Sequence, residues 1–113
     1  MGDVVSADIV FQNAVVAAGN GDSYSAHFAN ALVLEVTGTS ASRTIKFEEQ
    51  GISGAWYACM GVKRSDLSFA SETTGTDELW EFDLRGRLAF RARISAVAGG
   101  NVTVKGRAIV SNG

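Results

Sequence analysis

The sequence predicts an all-β protein: an antiparallel, jelly-roll-like β-sandwich of about eight or nine short strands, forming one domain over residues 1–113. Three observations lead to this prediction. Apolar and polar residues alternate through residues 80–110, as in strands with one buried and one wet face. The 13 glycines often stand at the breaks between apolar runs, as turn residues do. A chain of 113 residues is also long enough for one hydrophobic core.

The alternation is clearest in the last third of the chain. The even positions there are apolar and are predicted to face the core: Trp80, Phe82, Leu84, Leu88, Phe90, Ala92, Ile94 and Ala96. The odd positions between them carry mostly charged side chains, which are predicted to face water. A bend is expected at Gly86, where the pattern is interrupted.

The earlier strands are read from the same patterns. In chain order they are predicted over residues 8–18, 24–28, 30–37, 43–50, 55–62 and a short piece near 67–70. Leu32, Leu34 and Val36 share one predicted face, and Ile45 and Phe47 are predicted to point inward. The nearly continuous apolar run over residues 55–62 predicts a central strand, buried on both faces.

The final hairpin can be given a register, with its turn at residues 97–101. Inward residues must oppose inward residues, so Ile94 is paired with Val104 and Ala96 with Val102. The outer face then places the four cations of this hairpin in one basic ladder, in which Arg93 opposes Lys105 and Arg91 opposes Arg107.

Like charges directly opposite each other are destabilising, so an acidic group should lie over this ladder. The expected source is one of the acids Glu35, Glu48, Glu81 or Asp83 on a neighbouring strand; a partner subunit or a bound anion is the alternative. The ladder of Arg91, Arg93, Lys105 and Arg107, together with the polar loop over residues 63–76, is therefore the predicted interaction surface.

Composition argues against several partners. The net charge of −2 disfavours nonspecific binding of nucleic acid, and no apolar stretch reaches transmembrane length, so neither nucleic acid nor a membrane is expected as a partner. The start of the chain lacks the basic and apolar regions of a signal peptide. The single cysteine, Cys59, is predicted to be buried and inert in a protein that folds in a reducing cytosol.

No catalytic constellation, metal site or cofactor is predicted, and the chain is not expected to be an enzyme. Ser25 and the single histidine, His27, share a strand face, but this spacing is frequent by chance in a chain with many serines, and a turn or surface histidine is the expected role. One histidine and one cysteine cannot fill a zinc site without two carboxylates.

The aromatic residues suggest an alternative function. Trp56 and Tyr57 could stack on sugars, which would make the chain a carbohydrate-binding module for a host surface glycan. Because they are adjacent on a predicted strand they face opposite ways, so at most one of them serves a given surface. Trp80 falls on the inward face and is predicted to be part of the core.

Several segments resemble small β-sandwich virion structural proteins of tailed bacteriophages. The resemblance covers roughly residues 24–110 and is carried by ALVLEVTGT (31–39), RTIKFEEQG (43–51), GAWY (54–57), LAFRARISA (88–96) and GNVTVKGRA (100–108). This chain departs from those proteins at residues 51–54 and in the polar stretch 63–76. The resemblance implies a capsid decoration, head-fibre or tail accessory protein that works without chemistry.

The same resemblance sets the expected partners and location. It implies contacts with other virion proteins and a homo-oligomer, with a trimer or a ring favoured over a dimer. The expected location is the virion, after assembly in the host cytoplasm. The absence of proline agrees with an assembly role, because edges that proline does not protect can be covered by neighbouring copies.

Overall fold

Two antiparallel β-sheets pack face to face in the computed structural model, which describes residues 3–26 and 29–112. This confirms the predicted all-β sandwich. The described residues form eleven strands, and the jelly-roll likeness stays a prediction. The strands are β1 (Asp3–Val15), β2 (Ser23–Ser25), β3 (Ala29–Thr37), β4 (Ser42–Gln50), β5 (Trp56–Ala58), β6 (Gly61–Lys63), β7 (Phe69–Ala70), β8 (Glu72–Thr73), β9 (Glu78–Asp83), β10 (Ala89–Ala98) and β11 (Val102–Asn112).

The strands divide into a six-stranded and a five-stranded sheet. The six-stranded sheet has the order β1-β11-β3-β9-β6-β7. The five-stranded sheet has the order β2-β10-β4-β5, and β8 adds to it by pairing with β4. All strand pairs are antiparallel, so each sheet can bury one face and leave the other in water.

The core lies between the sheets and uses most of the residues that the alternation predicts, together with Phe11, for which no facing was predicted. Phe11, Phe90, Phe82, Phe47 and Trp80 come alternately from the two sheets, and neighbours in this series have ring centroids 4.7–5.5 Å apart. Such contacts add about 0.5–1.5 kcal/mol each beyond the burial of area. The other predicted inward residues that are buried are Leu32, Leu34, Val36, Ile45, Leu84, Ala92, Ile94, Val102 and Val104.

Two predicted inward residues at the ends of β10 lie outside the core. Leu88 is half-buried just before the strand, and Ala96 is exposed. The register of β10 against β4 shifts between Ile94 and Ala96, so one residue is skipped and the facing of the strand reverses. Val97 consequently packs against the core in place of Ala96.

The predicted final hairpin is wrong. β10 pairs with β2 and β4, whereas β11 pairs with β1 and β3, so the two strands belong to different sheets. Residues 99–101 cross from one sheet to the other, and the N–H groups of Thr39 and Ser40 donate to the Asn101 carbonyl at 3.1 and 3.0 Å. The alternation of apolar and polar residues could not distinguish a hairpin from a crossing, because an arch between two sheets also turns the apolar residues toward the core.

The predicted central strand over residues 55–62 is also a crossing. β5 is an edge strand of the five-stranded sheet, and β6 belongs to the six-stranded sheet. Cys59 lies between them with 1% of its surface exposed, which confirms its predicted burial. The apolar run is continuous because it includes the segment that crosses the core from one sheet to the other. It is not a strand buried on both faces, since both Tyr57 and Ala58 are exposed.

Candidate interaction surface

The outer face of the six-stranded sheet has an apolar floor. Alternate residues of five adjacent strands point away from the core there. We call the following set the outer floor: Val10 on β1, Ile109 on β11, Val33 on β3, Leu79 on β9 and Val62 on β6. These residues line two shallow grooves of about 710 and 640 Å³, and Val33 borders both. Val10 is 43% exposed and Leu79 is 41% exposed, so the floor is accessible to a protein partner.

Ion pairs lie among the residues of the outer floor, since Arg107 and Glu81 are both directly opposite Val33. Arg107 donates two hydrogen bonds to Asp8, at 2.7 Å from Nε and 3.1 Å from Nη2, and this contact lowers the pKa of the Asp8 carboxyl. Arg64 contacts Glu81, which lies between Val33 and Val62, at 2.6 Å. Both pairs are more than two-fifths exposed, so they stabilise the fold weakly. They leave little net charge among the apolar residues.

Lys105 and Glu35 lie within the second groove. They oppose each other on β11 and β3, and both are exposed. Among the described residues neither takes part in an ion pair. This pair of opposite charges beside apolar side chains suits a polar contact at the edge of a protein interface.

Arg91 and Arg93 lie on the other side of the molecule, on the outer face of the five-stranded sheet. Arg91 Nε contacts Glu48 Oε1 at 2.9 Å, and Arg93 contacts both Glu48 oxygens at 3.0 and 3.1 Å. The predicted four-cation ladder is therefore wrong, because Lys105 and Arg107 belong to the opposite sheet. The expected acid over the arginines is confirmed, since Glu48 is one of the four proposed residues.

Glu48 is held in its charged form by these contacts. Burial alone would raise the pKa of the Glu48 carboxyl, but the hydrogen bonds from Arg93 and Arg91 outweigh burial and lower it. The side chain of Glu48 is only 13% exposed, and that of Arg91 15%. This geometry gives Arg91 and Arg93 an intramolecular partner.

Trp56 and Tyr57 occupy adjacent positions on the edge strand β5. The Arg91 guanidinium carbon lies 4.1 Å from the centroid of the Trp56 ring, so one face of this half-buried indole is already covered. Tyr57 is 57% exposed. Trp80 is 2% exposed and donates its Nε1–H to Glu78 at 3.1 Å, which confirms its predicted place in the core.

The polar segment 63–76 is tied to the sheets at several points. Glu78 accepts hydrogen bonds from Thr73 at 2.6 Å and from Trp80, and Lys63 contacts it at 3.1 Å. Burial would raise the pKa of Glu78, but these bonds lower it. β7 in this segment matches the short strand predicted near 67–70, and its Phe69 is 69% exposed.

Metal-ligating and nucleophilic side chains are sparse among the described residues. These residues contain no group of three or more histidine, cysteine or acidic residues placed to hold a metal. They also contain no helix with the length and hydropathy needed to cross a membrane. Ser25 is exposed on β2, and His27 lies outside the described residues. Burial raises the pKa of the Cys59 thiol to about 11, which keeps it protonated and unreactive.

The sequence prediction missed the outer floor, although a signal for it exists. In β1 the apolar residues Ile9, Val10 and Phe11 are consecutive, and in β11 Ile109 stands between Ala108 and Val110. A strand with one wet face should not be apolar at consecutive positions. These interruptions mark the strands whose second face is also partly apolar.

Two solved structures that resemble this chain indicate the class of protein. The structure resembles that of the SPBc2 prophage-derived protein YomS, with a TM-score of 0.88 and 29% identity over 96% of this chain and 95% of that one. It also matches the PBSX exported protein XepA, with a TM-score of 0.92 and 33% identity over 94% of this chain and 38% of that one. The chain is thus a two-sheet β-sandwich of the kind found in prophage-derived proteins.

The family follows from the sequence match. The XepA family model covers residues 5–108, and the chain belongs to this family. XepA of the phage-like element PBSX and YqxG, both from Bacillus subtilis strain 168, are 34% and 32% identical over 102 residues, or 90% of this chain. The chain spans about a third of the length of both (37% of XepA and 34% of YqxG).

Proposed function

We propose that this chain is a non-enzymatic structural protein of a phage particle, of the capsid decoration, head-fibre or tail accessory type. One observation carries the proposal: apolar residues from five strands, interspersed with paired charges, on the exposed face of the six-stranded sheet. Such a patch on a small domain suits a stable contact with another protein. The phage origin of its relatives XepA and YomS supports a partner among other virion proteins.

The proposed contact includes the outer floor together with Lys105 and Arg107. Leu79 is its most useful position for a test, because it is exposed and Glu35 lies directly opposite it. Leu79→Lys removes apolar contact area and adds an ammonium group that can form an ion pair with Glu35 within the fold. The variant should therefore fold normally and bind poorly.

The matched control is Ala96→Lys. Ala96 is exposed on β10 of the five-stranded sheet, so this change adds the same charge outside the proposed contact. Wild type and both variants are supplied in turn to an induced phage from which the natural copy has been deleted. The number of copies in gradient-purified particles is then measured.

The expected result is many copies per particle for the wild type and for Ala96→Lys, and a loss of tenfold or more for Leu79→Lys. This loss corresponds to about 1.4 kcal/mol or more of binding free energy. Absence of the wild-type chain from purified particles contradicts the virion role. Equal incorporation of the two variants contradicts the assignment of the surface.

We also propose self-association, with the trimer or ring expected from the sequence as the first assemblies to look for. Light scattering gives the molar mass directly. The proposed location is the virion. Because the relative XepA is described as an exported protein, fractionation of infected cells must separate particles from free secreted chain.

The alternative function is glycan binding at Trp56 and Tyr57, and the exposure of the Tyr57 ring favours it. Binding of a cell-wall oligosaccharide there should change the tryptophan emission, since Trp56 is an immediate neighbour. A titration without any change in the wild type would reject this alternative.

A further inference from the structure

The connection between β1 and β2 ties the two sheets together at one edge of the sandwich. Gly19 exchanges two backbone hydrogen bonds with Ile94 of β10, at 3.0 and 2.9 Å. Three residues further along, the Asp22 N–H donates to the carbonyl of Phe11 on β1 at 3.0 Å. Because β10 and β1 belong to different sheets, the short segment between Gly19 and Asp22 is held by both of them.

Asn20 and Gly21 are the unbonded part of this segment. Between the pairings of Gly19 and Ser23 with β10, three residues of the connection stand against two of the strand, so the edge bulges here. The side-chain amide of Gln12 lies under the bulge and donates to the Gly19 carbonyl at 3.2 Å. Asn20 and Gly21 are both exposed, and neither forms a hydrogen bond with any other described residue.

An asparagine followed by a glycine has the atoms for a spontaneous reaction. Attack of the Gly21 backbone nitrogen on Asn20 Cγ forms a five-membered succinimide ring, and Asn20 Nδ2 leaves as ammonia with the proton of the Gly21 N–H. Glycine favours this attack because it has no Cβ to hinder the approach. Water then opens the ring at either carbonyl carbon and returns a proton to the nitrogen, so that residue 20 becomes aspartate or isoaspartate.

We propose that Asn20 is a site of spontaneous deamidation and that its isoaspartyl product loosens the connection between the sheets. In isoaspartate the main chain runs through the side-chain methylene, which adds one atom to the backbone. This atom falls between the bonds of Gly19 and Asp22, so the Asp22 N–H is displaced from the Phe11 carbonyl. The site lies outside the outer floor, and the inference does not depend on the proposed virion contact.

The glycine of this pair is required by the fold. Gly21 has a φ of +66°, and a Cβ at this position would collide with the Phe11 carbonyl oxygen and the Gln12 side chain. A substitution at Gly21 would therefore disturb the structure as well as the reaction. Variants at the exposed Asn20 change the reaction alone, so they are the ones to test.

Asn13 is an internal control in the same part of the molecule. It is also exposed, but the next residue, Ala14, has a side chain, and its N–H donates to Thr103 Oγ1 at 3.0 Å. The nitrogen that would attack Asn13 is therefore both hindered and engaged. Asn13 and Asn20 lie in one tryptic peptide, 1–43, so both are measured under identical conditions.

The experiment incubates the folded full chain at mildly alkaline pH and follows this peptide by mass spectrometry. Deamidation adds one mass unit, and electron-transfer fragmentation locates it and distinguishes isoaspartate. Conversion should be at least about tenfold faster at Asn20 than at Asn13, because of the side chain and the hydrogen bond at Ala14. Asn20→Gln should abolish the fast conversion, because its longer side chain closes a ring far more slowly. Equal rates at Asn13 and Asn20 overturn the proposal.

Urea unfolding tests the structural consequence. Anion exchange separates the modified chains, which carry one more negative charge, and peptide mapping selects the fraction modified at residue 20, since the second Asn-Gly pair at 112–113 falls in another peptide. Loss of one backbone hydrogen bond should raise the unfolding equilibrium constant of this fraction by about twofold to tenfold. Asn20→Asp adds the same charge without lengthening the main chain and should unfold like the wild type. Equal midpoints for the isoaspartyl fraction and Asn20→Asp overturn the proposed loosening.

Discussion

Removal of the Glu48 carboxylate should destabilise the protein far more than removal of a matched exposed carboxylate. Glu48 accepts three hydrogen bonds from Arg91 and Arg93, and the two contacting side chains Glu48 and Arg91 are 13% and 15% exposed. Exposed ion pairs contribute about 0.2–1 kcal/mol. Breaking a fully buried pair costs about 3–5 kcal/mol. The intermediate burial of Glu48 places Glu48→Ala near 2 kcal/mol.

The control is Glu81→Ala, which makes the same chemical change on the six-stranded sheet. Glu81 also accepts from an arginine, Arg64, but their side chains are 51% and 44% exposed. The expected cost is below about 0.5 kcal/mol. Both substitutions lie within strands, so the difference between their costs in free energy of unfolding reports the burial of the ion pair.

Urea unfolding at neutral pH measures both costs. With a slope of about 1–2 kcal/mol per molar, the midpoint should fall by about 1–2 M for Glu48→Ala and by little for Glu81→Ala. Equal midpoints would refute the reasoning that Glu48 anchors Arg91 and Arg93 within the fold. The two arginines would then return as candidates for the interaction surface.

Three further predictions concern the core and its charges. Ala92→Lys should unfold the protein or lower its free energy of unfolding by more than about 3 kcal/mol, because it buries a charge. Ala96→Lys should change the free energy of unfolding by less than about 0.5 kcal/mol, because the bulge turns Ala96 outward, and similar urea midpoints for the two variants would contradict the bulge. Cys59 should react with an aromatic disulfide only after denaturation, since its pKa is about 11 in the buried site, and rapid labelling of the native protein would contradict this. The contacts that lower the pKa of the Glu48 and Glu78 carboxyls stabilise the fold at pH values above the ordinary glutamate pKa of 4.5. This stabilisation is lost as the pH falls through the lower pKa values of the folded state. The thermal unfolding midpoint should therefore drop below pH 4.5, and Glu78→Gln should reduce that drop.

Much of the sandwich could be predicted from residue alternation because burial on one face of a strand imposes a period of two. The core positions Phe82, Phe90 and Ile94 follow directly from it. The pattern does not specify which strand is the neighbour. Residues 97–101 fit a hairpin turn and a crossing between sheets equally well, and the contacts of Asn101 with Thr39 and Ser40 that accompany the crossing are distant in sequence.

The candidate surface was harder to predict for the same reason. Its charged members Lys105 and Arg107 were identified, but they were combined with Arg91 and Arg93 through the wrong pairing. The outer floor itself is assembled from single apolar residues on five strands that are distant in sequence. No local window contains them together, so the surface exists only once the strand order is known.

We propose that the outer face of the six-stranded sheet contacts another protein of the particle. Hydroxyl-radical footprinting of particle-bound and free chain tests it most directly, because Leu79 on this face and Tyr57 on the other sheet are comparably exposed, at 41% and 57%. We expect oxidation of Leu79 to be suppressed in the particle while Tyr57 stays reactive. Suppression at Tyr57 with Leu79 still reactive would contradict it.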